Sequence, residues 1–117
     1  DWEQGLCGVF EYVLRDKAFI LSVYKAISRE QIEIYLYHLT YGLINSVVEE
    51  RSEGMSVRDE DKQFITEFYM YAFVGVMLDW IKHDMKASPR ELSERVGRIM
   101  AGNIDSGLDK FRTDRPH

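Results

Sequence analysis

The sequence predicts an all-α protein, a five-helix bundle with no strand, and three observations carry that expectation. Apolar residues recur at three- and four-residue spacing through most of the chain. Helix-capping residues stand at the breaks between these stretches. From Phe68 to Leu78 the chain runs eleven residues without a charge, and acids precede that run while bases follow it, as the helix dipole favours.

Taken in order, Trp2, Leu6, Val9, Phe10, Val13 and Leu14 share one face of a first helix. Arg15-Asp16 breaks the pattern, and Asp16 is placed to cap a short second helix carrying Phe19, Ile20, Val23 and Tyr24. Ser28 with Gln31 has the spacing of a capping box and opens a third helix. Its two apolar stripes, Ile32, Leu36, Leu39, Leu43 and Val47 beside Ile34, Tyr37, Tyr41, Ile44 and Val48, call for cover on more than one side. A polar connection over residues 49–58, with Gly54 inside it, leads to the fourth helix, residues 59–85. Ser56 stands at capping-box distance from Asp59, and Asp59, Glu60 and Asp61 suit the helix start as Lys82, His83 and Lys86 suit its end. The fifth helix opens at Ser88-Pro89-Arg90-Glu91, a capping Ser followed by Pro at the first helical position. Leu92, Val96, Ile99 and Met100 form its apolar face, Ser93, Gly97 and Ala101 a row of small residues beside it, and Glu91–Arg95 and Glu94–Arg98 its wet side. Gly102-Asn103 stops this helix, so the helical domain is expected over residues 1–103 and a mobile tail over 104–117.

The fourth helix is apolar all round, about 40 Å long at ~1.5 Å per residue, and must be covered on every side. Its eleven uncharged residues fall short of the ~20 that a membrane span needs, so protein is the expected cover. A second copy of the chain would supply it, with Gly75 permitting close approach of another backbone. The candidate interface is Phe73, Gly75, Met77 and Trp80 with Ser93, Val96, Gly97, Met100 and Ala101 of the fifth helix. The alternative is a central core helix in a monomer.

Composition narrows the function. The 117 residues carry a net charge of -5 and no basic block longer than two residues, so no salt-sensitive affinity for duplex DNA is expected of this chain. Cys7 is the single cysteine, no signal peptide or membrane segment precedes the domain, and a reducing cytoplasm is the expected location. His38, His83 and His117 lack metal-ligand spacing, no phosphate loop or nucleophile setting appears, and neither a metal, a cofactor nor an enzymatic activity is expected. The aromatics offer more. Phe10, Phe19, Tyr37, Tyr41 and Tyr71 lie on four different helices, and bundles build ligand sites between helices from such side chains. They serve equally well in a solid aromatic core.

The run from Phe68 to Met85, with its Tyr-x-Phe-Val-Gly core at Tyr71–Gly75 and Trp80-Ile81, followed by Ser88-Pro89-Arg90-Glu91-Leu92, resembles the C-terminal region of TetR-type transcriptional regulators. It is most similar to the branch that includes regulators of dihydroxyacetone kinase operons, and a weaker likeness extends over roughly residues 2–103. The resemblance implies a cytoplasmic bacterial regulator that is not an enzyme, whose all-helical domain forms a homodimer through a four-helix interface of the last two helices. It further implies a small hydrophobic or aromatic effector among Phe10, Phe19, Tyr37, Tyr41 and Tyr71, or alternatively a protein co-regulator docked on a filled core. DNA would be bound only through a helix-turn-helix domain, which these residues lack. An effector contacting Phe10, Tyr37 and Tyr71 is expected to shift the first helix and so the spacing of two DNA-reading heads.

Overall fold

A computed structural model describes residues 2–26 and 29–114, so the capping box proposed at Ser28 lies outside the described residues. Among the described residues six helices form: α1 Trp2–Arg15, α2 Lys17–Ala26, α3 Arg29–Arg51, α4 Asp59–Lys82, α5 Pro89–Met100 and α6 Asn103–Phe111. No named strand occurs among the described residues; a single bridge links Val57 and Arg112. The all-α expectation holds, with one helix more than the five foreseen.

The hub is α3. It packs against α4 along most of its length and also meets α1, α2 and α6, which is why Ile32, Leu36, Ile44, Val47 and Val48 are buried on more than one of its sides. α1 lies over the α3–α4 pair: Gly5 faces Leu43, the Trp2 ring stacks on Phe73 at 6.0 Å, and the Phe10 ring meets Trp80 edge-on at 5.1 Å. α5 packs on the other side of α1. The Cα trace spans 54 × 26 × 16 Å, and with helix axes 8–10 Å apart the short dimension holds two layers. One sheet of interleaved side chains fills the space between them.

Local signals are realised unevenly. Ser88 caps α5 as its sequence demands, its Oγ accepting the Glu91 N–H at 3.0 Å with Pro89 at the first turn. Ser56 does not cap α4: the position falls to Arg58, without a side-chain bond, and the Ser56 carbonyl instead accepts from the Thr113 backbone N–H and from its hydroxyl. α4 ends at Lys82, where Asp84 and Met85 turn through positive φ of 61° and 53°. Trp80 holds that turn, its carbonyl accepting from Met85 N–H at 2.9 Å and its indole N–H donating to the Ala87 carbonyl at 2.8 Å. On α5 the Arg90 guanidinium pairs with Glu94 at 3.1 Å, a partner the foreseen Glu94–Arg98 pairing did not include. His38 lies exposed.

The segment expected to be a mobile tail is folded through Asp114. Gly102, at φ 75°, ends α5 and starts α6, which buries Ile104 and Leu108 against α3 and α4. Residues four apart lie on one helical face, and in so polar a stretch these two suffice to dock it. Beyond α6 the Val57–Arg112 bridge and the Thr113–Ser56 bonds tie its end to the loop before α4. The Arg112 guanidinium clasps Asp114 at 2.8 and 3.1 Å, and this hydrogen bonding lowers the carboxyl pKa to about 2. Leu108→Ala should therefore destabilise the fold by about 2–5 kcal/mol, the range for a buried Leu truncation. Urea unfolding followed by circular dichroism measures it, and a loss under ~0.5 kcal/mol would show that α6 is not docked.

Candidate functional site: an aromatic outer face and a terminal cleft

α4 has nine buried residues on one side, among them Phe73, Val74, Met77 and Ile81, and its other side is apolar as well. Phe64, Phe68, Tyr71 and Gly75 recur at steps of four, three and four residues and so share that outer face. Across from it, α3 turns Ile34, Tyr37 and Tyr41 outward, and the Tyr37 and Tyr71 rings meet edge-on at 5.6 Å, joining the two faces. Phe111 of α6 extends the patch, where Phe64, Ile65, Phe68, Tyr69, Gly107 and Phe111 border an open apolar groove of about 190 Å³. Phe64, Phe68, Tyr71, Tyr41 and Phe111 are each between 40% and 65% exposed, and charge borders them: Glu67, whose carboxylate accepts from the Gln63 amide, lies beside the α4 stripe, and Glu33 and Arg29 lie near Tyr37. By length and composition α4 is apolar enough to cross a membrane, but half of its most apolar 18-residue window is buried inside the domain, as in a core helix.

A second feature sits at the opposite end of α1. Tyr12 near the end of α1, with Asp16 just past it, faces Phe19, Ile20 and Val23 of α2 across a half-open cleft of about 300 Å³. Gln31, Ile32 and Tyr35 from the first turns of α3 form its floor and far wall. The volume is at the lower end of the ~300–1,000 Å³ of small-molecule sites. Burial, with Tyr12 and Asp16 close by, raises the Tyr35 phenol above its ordinary pKa. Between α1 and α5 a groove of about 370 Å³ is larger, yet Glu3, Arg90 and Glu94 give it charges of both signs and a wetter lining.

The residues foreseen for an effector do not converge. Phe10 is 1% exposed and packs in the core against Trp80. Tyr37 and Tyr71 pair on the outer face, where Tyr41 also lies, and only Phe19 lines the terminal cleft. One ligand contacting Phe10, Tyr37 and Tyr71 together is not compatible with this arrangement. Tyr12, Asp16 and Tyr35, which help line the cleft, were not foreseen as site residues, Asp16 being read only as a helix cap; its place at a helix break with aromatics three or four residues away was the available sign.

The foreseen interface residues are also divided. Phe73, Met77, Trp80 and Ser93 are buried within their own chain, and Val96, Gly97 and Met100 are partly covered. A Cβ on Gly97 would lie 2.7–2.9 Å from the Glu3 carboxylate, so the small-residue row admits α1 rather than a partner helix. Gly75 and Ala101 are exposed, and nothing lies within 4 Å of where a Cβ on Gly75 would stand. Asp79 and His83 pair at the surface, at 3.6 Å, with both side chains largely exposed.

A profile of the family described as "Transcriptional regulator C-terminal region", of the TetR type, matches residues 1–102. Comparison with curated proteins and with solved structures gives no significant match. The profile covers the five helices foreseen from sequence and stops where α6 begins, and the all-helical architecture agrees with it. With most of its 117 residues matched, this chain belongs to the TetR-type transcriptional regulator C-terminal region family.

Proposed function

We propose that the chain is the dimerisation and regulatory half of a bacterial, cytoplasmic TetR-type transcription regulator, two copies joining through the outer face of α4 with Tyr37 and Tyr41 of α3 and Phe111 of α6. The observation that carries this is the exposed aromatic patch. At roughly 200 Å² per fully exposed ring, its five most exposed aromatics present about 500 Å². Each partner of a stable interface buries about 800 Å², so these rings alone supply more than half of one side. A patch containing a straight stripe on α4 is able to meet itself across a two-fold axis, as an isologous interface requires. The likeness of Phe68–Met85 to the dihydroxyacetone kinase regulator branch supports kinship with that branch. DNA is bound, in this reading, through a helix-turn-helix domain outside these residues, and the domain is not an enzyme. Sedimentation equilibrium should give twice the 13.8 kDa chain mass at micromolar concentration. A monomer persisting at hundreds of micromolar would overturn the dimer.

The filled two-layer core favours this reading over a sensor with an enclosed pocket. A second reading, small-molecule sensing, is supported by the terminal cleft between α1, α2 and α3. Tyr12 and Asp16 stand at one end of α1 and Trp2 at the other, so a ligand in the cleft that preferred one placement of α1 would shift the whole helix. A protein co-regulator is the competing occupant of the outer face, and a monomer in sedimentation is the result that would favour it.

A further inference from the structure

The terminal cleft combines three aromatic rings with one carboxylate. Asp16 is the single charged side chain among the described residues that line it, and it makes no ion pair with any described residue. Tyr12 and Phe19 stand at the rim, 48% and 67% exposed, while Tyr35 is partly buried deeper in. Such exposure leaves much of each rim ring open to a ligand. Ile20 and Ile32, both buried, close the base with aliphatic surface.

We infer that this cleft takes a small organic cation, an ammonium group carried on an apolar body, with Asp16 and the faces of Tyr12, Phe19 and Tyr35 receiving the charge and Ile20 and Ile32 the body. The inference rests on the sensing reading of the same cleft and adds the ligand class. Its physical basis is the sign of the field. Aromatic faces are the negative side of a quadrupole and attract cations within about 6 Å of the ring centroid, while a carboxylate adds a full negative charge. An anion would meet that carboxylate and the electron-rich rings with no cationic side chain among the lining residues to receive it. A neutral ligand would gain only the apolar contacts. Burial chiefly, with Tyr12 and then Asp16 nearby, raises the Tyr35 phenol, so its ring presents no competing charge beside the carboxylate.

The test is an amide NMR titration of the whole chain with benzyltrimethylammonium, 2-phenylethanol and phenylacetate, three probes with one ring and different charge. The cation should shift amides over residues 12–20 and 31–35 and saturate, with the alcohol at least about tenfold weaker and the carboxylate without effect. Asp16→Asn should weaken the cation about tenfold and leave the alcohol unchanged. Phe19→Ala, at an exposed position whose loss the fold tolerates, should weaken the cation as well. Equal binding of cation and alcohol in the cleft would overturn the cation assignment and leave the sensing reading standing. Absence of all three from the cleft, or shifts confined to the α4 outer face, would overturn both.

Discussion

Phe10→Ala is expected to lower the unfolding free energy by about 3–5 kcal/mol, the range for removing a buried aromatic ring. Phe10 is among the most enclosed large side chains in the chain, and its ring meets the edge of Trp80, whose indole in turn holds the α4–α5 turn through Ala87. Truncation would empty the space between α1 and the end of α4 and forfeit an aromatic pair worth about 0.5–1.5 kcal/mol beyond its burial. A domain of this size is stable by roughly 5–15 kcal/mol, so the variant would lose about a third to a half of a typical margin. Urea unfolding at one fixed protein concentration measures the loss without the concentration dependence that dimer formation introduces. Phe19→Ala is the control, since a ring 67% exposed should cost within about 0.5 kcal/mol. Equal effects at the two positions would show that Phe10 is not in the core.

If two copies join through the outer face of α4 as proposed, Phe68→Glu should yield a monomer while leaving the fold intact. The ring is 61% exposed at the middle of the α4 stripe, so within one chain its loss costs little. Across a two-fold interface the substitution enters twice, each copy losing an aromatic anchor worth about 2 kcal/mol and burying a carboxylate with no cation beside it. A total near 4 kcal/mol raises the dimer dissociation constant by roughly a thousandfold. Sedimentation reads the change in mass and circular dichroism confirms that the helices persist; an unchanged dimer would remove α4 from the interface. Gly97→Glu provides the contrast. Placed against Glu3, it sets two carboxylates together and pushes α5 from α1, so it should lower stability without the direct loss of dimer affinity that Phe68→Glu produces.

Helix content, the cap at Ser88 and the stop at Gly102 were legible because each depends on residues within one turn of one another, whose backbone groups must be satisfied locally. The all-round apolar character of α4 was equally plain, since covalent order and the 3.6-residue period determine which side chains share a face. Which face meets which neighbour is a different matter. Phe73, Met77 and Trp80 are as apolar as Phe64, Phe68 and Tyr71, yet α3 and α1 cover the first set and leave the second exposed. The Ser93–Gly97 row gave a correct sign of close packing, but its partner proved to be α1. α6 was missed because Ile104 and Leu108 are its chief apolar anchors, too weak a periodicity to mark a helix until α3 and α4 supply the surface that buries them. The cleft of Tyr12, Asp16, Phe19 and Tyr35 likewise exists only because α1 and α2 turn back against the first turns of α3. The sequence by itself determined the first five helices, their polar and apolar sides and the family; α6, the pairing of those sides, and with it the outer face and the cleft, came from contacts between residues far apart in the chain, which no local pattern encodes.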